Sequence, residues 1–424
     1  MTFKAPSFGS ALNGPFHSSS SAGLGSQVTV VDILVIDDDP LVVESLQRLL
    51  RHRGYQVATA SDAATGIQQA IELTPSVIIC DLLLPGGPSG LDICRRIKRD
   101  SRLSTTAFLI MTGHTDIANR AEALEAGADD LLFKPVDTDE LTARVKSGLR
   151  LHQLTQALMS QKQRLENELA EAATYVTSLL PRDTPVDASN CVSISSRFIS
   201  SQELGGDCFD HYWLDPDYLV MYLLDVSGHG LGAALLSTSV LNVLRSQSLP
   251  GVNFYRPESV LKGLNEAFQM SNQNDKYFTI WYGVYNRVTH QLAYASAGHP
   301  PALLITPQNS RNPISAEDVS LTQLRTPGMP IGMMPDSTYQ WQRCSISRSS
   351  RLYIFSDGIY EICPASPHPS NHETLLGLGG FVNLLATLES QRQLNLDKLI
   401  DEVSAFGGNQ FEDDLSLLEI DFQV

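Results

Sequence analysis

Apolar residues fall in two textures along the chain, separated by one long helical stretch. From Val28 to about residue 140, short apolar runs (VTVVDILVIDDD, YQVATA, SVIICD, AFLIMTG and DDLLFKP) alternate with helix-patterned segments, one from Pro40 to Arg53 and another near 62–73. Such alternation predicts a parallel sheet wrapped by helices. Between Leu141 and Leu180 the apolar spacing becomes three, four and seven, placing Leu151, Leu154, Leu158, Leu165, Ala172, Val176 and Leu179 on one stripe. This predicts an amphipathic helix of about 40 residues, roughly 60 Å long, which Pro181 ends. Beyond it, the runs CVSISSRF, YLVMYLLDVS, YFTIWYGVYN, QLAYASAG, RLYIFSDG and LSLLEIDF alternate apolar with polar, broken by helical stretches at 231–248 and 256–272. Antiparallel sheets with helices outside are expected there.

The expected organisation is therefore 28–140, a helical linker over 141–181, and 182–424. Residues 1–27, rich in Ser, Gly and Ala, read as a disordered tail, and they lack the basic start and apolar stretch of a signal peptide. A one-sided seam on so long a helix asks for a partner helix, so a homodimer through a coiled coil is preferred over packing of the seam on its own chain.

Composition narrows the function. A net charge of −17 leaves no basic stripe for phosphate backbones, so nucleic acid is not expected as a partner. No apolar run of about 18 residues could cross a bilayer, so no membrane association is expected. Cys80, Cys94, Cys191, Cys208, Cys344 and Cys363 show no C-x-x-C spacing, which favours free thiols in a reducing cytoplasm.

The acids carry the chemistry. Four motifs in the second half, ELGGDCFD (203–210), DVSGHG (225–230), FSDGIYE (355–361) and FEDDLSLL (411–418), set carboxylates beside glycines or chain reversals. Such placement aims several oxygens at hard divalent cations without burying unpaired charge. Two cations about 4 Å apart suit phosphate-ester chemistry. An Asp-Gly turn explains SDG alone, but not the ordered set. In the first half, Asp37, Asp38, Asp81, Thr112 and Lys134 all fall at strand ends, where an open parallel sheet binds its ligands.

The ordered motifs DVSGHG, SAGHPP (296–301), SDG and DD, with ATYVTSLLP ahead of them, resemble the metal-dependent PPM-type Ser/Thr phosphatases of the sporulation stage II protein E branch. The resemblance runs from about Ala173 to Val424 and implies an α+β fold, a β-sandwich flanked by helices. It also implies two or more Mn²⁺ or Mg²⁺ ions held by Asp207, Asp225, Asp357 and Asp413 and by the Val226 carbonyl, with Asp225 bridging. Asp414, Glu203 and Asp210 are further candidates. Metal-bound water would be the nucleophile, leaving Cys208 to packing and His229 and His299 to loop hydrogen bonds.

Residues 30–150 resemble the receiver domain of two-component response regulators, a flavodoxin-like α/β fold with a five-stranded parallel sheet. That resemblance makes Asp81 the phosphoacceptor, gives Mg²⁺ the carboxylates of Asp37, Asp38 and Asp81 and the Leu83 carbonyl, and assigns signalling to Thr112 and Lys134. DLLLPGGPSG is one residue longer after Pro85 than usual, and Leu131 stands where an aromatic residue is common.

Together the resemblances imply a regulator whose output is dephosphorylation, controlled through Asp81 by a cognate sensor histidine kinase. The implied substrate is a phosphorylated anti-sigma-factor antagonist. A catalytically inactive scaffold that binds a phosphoprotein is the alternative, disfavoured by the complete set of acids. GGDCF also resembles the GGDEF signature of diguanylate cyclases, but Cys208 replaces the acidic residue and the other motifs go unexplained. The irregular stretches 363–375 and 306–328 are candidates for gating or substrate recognition.

Overall fold

Five buried apolar runs build the first unit. A computed structural model of the chain describes residues 31–113, 117–184, 192–201, 204–307, 319–364, 375–391, 393–408 and 411–423. The tail expected at 1–27, Glu203, Cys191 and most of 363–375 lie outside these residues. β1 (Ile33–Ile36), β2 (Val57–Ala60), β3 (Val77–Asp81), β4 (Ala107–Thr112) and β5 (Asp130–Phe133) pair in parallel in the order β2-β1-β3-β4-β5. Between them run α1 (Pro40–His52), α2 (Ala63–Leu73), α3 (Gly90–Arg99) and α4 (Ile117–Glu125).

Side chains explain where the helices begin. Asp39 accepts the Leu41 N–H with Pro40 in the first turn, and Asp62 accepts the Thr65 N–H. Ser89 and Asp92 close a capping box on α3. The strands read as continuous apolar runs because both faces are covered: Leu34, Ile78 and Phe108 pack on one side, Ile33, Val35 and Leu109 on the other.

α5 (Thr138–Leu179) is 42 residues long, and it begins earlier than the predicted linker. Leu141 and Val145 are fully buried in the core beneath the parallel sheet, so the first turns complete the first unit and the linker continues the same helix. Past them the stripe emerges into solvent, with Leu151 46%, Leu154 60%, Leu158 67% and Leu165 57% exposed. The chain divides into two compact units, 1–162 and 163–424, within this helix.

The second unit is a sandwich of two antiparallel sheets. β7 (Cys208–Asp215), β8 (Tyr218–Val226), β9 (Phe278–Asn286), β10 (Gln291–Ala297) and β13 (Gln342–Ser345) form one, in the order β13-β10-β9-β8-β7. β6 (Val192–Ile199), β11 (Ala302–Pro307), β12 (Val319–Leu324), β14 (Ser350–Phe355) and β15 (Leu415–Phe422) form the other, in the order β12-β11-β14-β15-β6. Trp281, Tyr285, Leu352, Leu418 and Phe422 interlock between them. α6 (Leu231–Arg245) and α7 (Pro257–Ala267) cover the first sheet, and α8 (Gly377–Ser390) and α9 (Leu396–Gly407) cover the second.

Two expectations shift in detail. The helix expected to reach residue 248 stops at Arg245, with Gln247 at φ 50°, and the next stops at Ala267 before a single turn at Met270–Asn272. Part of the stretch expected to be irregular at 306–328 is β12, paired along its length with β11.

Candidate metal centres

In the first unit the strand ends deliver what the alternation predicts. Asp37 and Asp38 follow β1, Asp81 ends β3, Thr112 ends β4 and Lys134 follows β5. Asp37, Asp38 and Asp81 each bring a carboxylate oxygen within 4.8 Å of the others. Lys134 Nζ donates to Asp37 Oδ2 at 2.8 Å and lies 3.1 Å from Asp81 Oδ2. Burial pushes the Asp81 carboxyl up, against the opposing pull of Lys134. The Lys134 ammonium is itself disfavoured by burial, yet its bonds to Asp37 and Asp81 raise its pKa overall.

Asp81 is aimed by its own strand, since its Oδ1 accepts the Leu82 N–H at 2.9 Å. The Thr112 carbonyl accepts the Lys134 N–H at 2.8 Å, which ties those two chain ends together. Three hard oxygen donors around one point suit Mg²⁺. The Leu83 side chain is exposed, and Leu131 is buried in the core that α2, α3 and α4 share.

In the second unit the acids gather at the edges of both sheets. Asp225 is the penultimate residue of β8, Asp207 precedes β7, Asp357 follows β14, and Asp413 and Asp414 precede β15. Burial raises the Asp225 carboxyl to about 7, and the charges of Asp357, Asp413 and Asp414 add to the effect. Burial, then Asp413, raises Asp357 to about 6. Asp207, buried against Asp225, is held well above the carboxylate range, and its Oδ2 has no hydrogen-bond partner among the described residues.

Glycine shapes the cradle. A Cβ on Gly206 would lie 2.8 Å from the Val226 carbonyl oxygen and 3.2 Å from that of Gly228, so a bare backbone lets the Asp207 loop touch the turn after Asp225. That turn needs left-handed residues, and Gly228 and Gly230 sit at φ 77° and 82°. Acids that raise one another and an orphaned Asp207 oxygen suit hard divalent cations, although among the described residues only Asp37, Asp38 and Asp81 bring three carboxylate oxygens within 4.8 Å of one another.

The structure separates the remaining candidates. Asp414 faces its own fold: Oδ1 accepts the Ser201 N–H at 2.9 Å and the Ser200 hydroxyl, and Oδ2 accepts the Gly206 N–H at 2.7 Å. Asp210 is buried and pairs with Arg245 at 2.5 Å, which places it in packing rather than in the acid cluster. His299 is buried and hydrogen-bonded to Thr279 at 2.8 Å, and burial drives its pKa to about 3, so it is neutral. His229 is exposed. Burial pushes the Cys208 thiol up, so it offers no nucleophile at neutral pH.

Ser356, Ser416 and Lys276 carry parts that the motifs do not announce. The Ser356 hydroxyl donates to the Asp414 carbonyl at 3.1 Å and accepts the Ser416 N–H, binding the SDG loop to the DD pair. Lys276 Nζ donates to the Ser227 carbonyl at 3.0 Å. The only available signal for Ser356 is its place beside Asp357.

Comparison with known proteins matches these two sites to two families. The response regulator receiver domain family matches residues 33–146, and the stage II sporulation protein E family matches 215–423, with Asp207 just before the matched span. The DNA-binding dual master transcriptional regulator RpaA of Synechocystis sp. is 38% identical over 118 residues, 28% of this chain and 48% of that protein. The chain thus spans about half the length of the curated relatives it matches.

Among solved structures, the SiaA-PP2C domain of Pseudomonas aeruginosa is 17% identical at a TM-score of 0.48, covering 62% of this chain and 98% of that one. The PP2C phosphatase domain of SpoIIE from Bacillus subtilis, solved with a fragment of its regulatory domain, is 18% identical at a TM-score of 0.42, covering 56% and 64%. The chain joins a response regulator receiver domain, at 33–146, to a PPM-type phosphatase domain of the stage II sporulation protein E family, matched at 215–423.

Proposed function

We propose that the second unit hydrolyses phosphoserine and phosphothreonine on a protein substrate, using two Mn²⁺ or Mg²⁺ ions held by Asp207, Asp225, Asp357, Asp413 and the Val226 carbonyl. The observation that carries this reading is the raised pair Asp225 and Asp357, at about 7 and about 6, whose leading charged neighbours are all acids. Half-buried carboxylates in that state call for cations rather than for one another. Such cations, when bound, supply Lewis-acid activation of the ester and of the attacking water. Asp414 and Ser356 keep the loops of Asp207, Asp357 and Asp413 in register, and Asp225 is fixed by the β8–β9 ladder.

The receiver supplies control in this reading. A cognate sensor histidine kinase phosphorylates Asp81, with Mg²⁺ held by Asp37, Asp38, Asp81 and the Leu83 carbonyl, and Lys134 and Thr112 engage the acyl phosphate. Family membership supports an anti-sigma-factor antagonist as substrate. The exposed stripe Leu151, Leu154, Leu158 and Leu165 supports a homodimer through α5. No helix among the described residues is long and apolar enough to cross a membrane, and the described cysteines are free, which supports a cytoplasmic setting.

The test is hydrolysis of p-nitrophenyl phosphate and of a phosphoserine peptide with Mn²⁺, with and without EDTA, beside Asp225→Asn. Metal-dependent turnover lost in the variant supports the reading. A folded, metal-loaded wild type that turns over neither substrate, whether Asp81 is phosphorylated or not, would replace it with a phosphoprotein-binding scaffold.

A further inference from the structure

We infer that Lys276 is the cation that receives the phosphoryl oxygens of the substrate, an inference that rests on the hydrolase reading above. A phosphomonoester arrives as a dianion at a centre whose own charges are negative: Asp207, Asp225 and Asp357 have Asp413, Asp414 and Glu361 as their other leading charged neighbours. Metal ions offset the acids, and the peripheral phosphoryl oxygens still need a fixed donor.

Lys276 is built to be that donor. The β8–β9 ladder pairs Asp225 with Thr279 and Val226 with Phe278, and it continues through Ser227 N–H to the Tyr277 carbonyl at 2.9 Å. The next residue back, Lys276, is thereby set over the turn that leaves Asp225. Its stem lies on two glycines: a Cβ on Gly232 would meet Cε at 3.1 Å, and one on Gly228 would meet Nζ at 3.4 Å. A side chain at Gly232 would crowd the stem, and one at Gly228 would touch the ammonium.

The ammonium is also unspent. Its hydrogen bond among the described residues is to the Ser227 carbonyl, and it makes no ion pair there, although the chain carries a net charge of −17. A lysine has three donors, so two remain for a ligand. α6 starts from the same turn without a side-chain cap at Gly230, which points the positive end of a 15-residue helix at the same place. Ammonium and helix end together form a receptor for the phosphoryl dianion, and not for a neutral ester.

Three quantities test this on the full chain: KM for a phosphoserine peptide, the calorimetric affinity of the Mg²⁺-loaded protein for inorganic phosphate, and the affinity for Mn²⁺ alone. Lys276→Met is expected to weaken both KM and phosphate affinity about tenfold or more, the size of one charge-assisted hydrogen bond. Mn²⁺ affinity should stay unchanged, and Lys276→Arg should recover most of the loss. Unchanged phosphate affinity in Lys276→Met overturns the inference. So does a drop in Mn²⁺ affinity alone, because the lysine would then only brace the turn through Ser227. Absence of wild-type turnover would refute the hydrolase reading, while the phosphate affinities would still decide the role of Lys276.

Discussion

The Ser356 hydroxyl accepts the backbone N–H of Ser416 at 2.9 Å, and the Ser356 N–H returns a bond to the Ser416 carbonyl at 3.1 Å. Both residues are fully buried, and the same hydroxyl donates to the Asp414 carbonyl. One side chain thus fixes the spacing between the Asp357 loop and the Asp413–Asp414 pair. Ser356→Ala leaves a buried N–H and a buried carbonyl without their partner, at a cost of about 1–3 kcal/mol. All three tryptophans (Trp213, Trp281, Trp341) lie in the second unit, so tryptophan fluorescence during urea unfolding reads that loss directly. Mn²⁺ affinity is expected to fall with it.

Asp210 is acidic, buried and close in sequence to Asp207, yet its partner is Arg245, which also donates to the Leu179 carbonyl at 2.8 Å. Removing one member of a buried pair costs about 3–5 kcal/mol because the other charge is left behind. Arg245→Met is therefore expected to lower the tryptophan-monitored unfolding midpoint sharply while Mn²⁺ stoichiometry, measured by calorimetry, stays that of the wild type. A changed stoichiometry would return Asp210 to the metal centre.

The strand-end acids were legible because apolar runs mark where strands stop: YLVMYLL delivers Asp225, YIF delivers Asp357, and LSLL starts just after Asp413 and Asp414. The receiver sheet was legible for the same reason. Ser356 with Ser416, and Lys276 with Ser227, were not, since each pair is 49 to 60 residues apart and is joined only by strand register. Local pattern carries no register between distant strands. The start of α5 was hidden because a heptad stripe looks alike whether it already packs, as at Leu141 and Val145, or stands exposed, as at Leu154 and Leu158.

In the receiver, Lys134 neutralises Asp37 and Asp81, and the Asp37 side chain is fully buried. Lys134→Met leaves that carboxylate without its cation, a loss of about 3–5 kcal/mol for a buried pair. A divalent cation on Asp37, Asp38 and Asp81 replaces the missing charge. Calorimetric unfolding of the first unit should therefore show a lowered midpoint in EDTA that Mg²⁺ largely restores, and Mg²⁺ should stabilise the variant more than the wild type.

The stripe on α5 gives a third kind of test. Leu154 and Leu158 are 60% and 67% exposed on the isolated chain. If a second copy covers them, Leu154→Glu with Leu158→Glu converts a dimer to a monomer in light scattering at unchanged helix content. An unaltered mass in the variant would exclude this face as the interface.

The acids of the second unit also set a pH dependence. Asp225 and Asp357 hold their protons to about 7 and about 6, against an ordinary value of 3.8. The folded state therefore binds more protons than the unfolded chain from about pH 4 to 7, so metal-free stability is full below that window and declines as pH rises through it. Divalent cations compete with those protons, so Mn²⁺ should bind more tightly as pH rises, releasing protons that calorimetry in two buffers of different ionisation enthalpy can count. In EDTA the tryptophan-monitored midpoint is expected to fall between pH 5 and pH 8, and saturating Mn²⁺ should remove most of that fall. Asp225→Asn cannot ionise at this position, so in EDTA its advantage over the wild type should be larger at pH 8 than at pH 5. A wild type whose metal-free midpoint is flat across this range would mean that the cluster is not held protonated by its own fold.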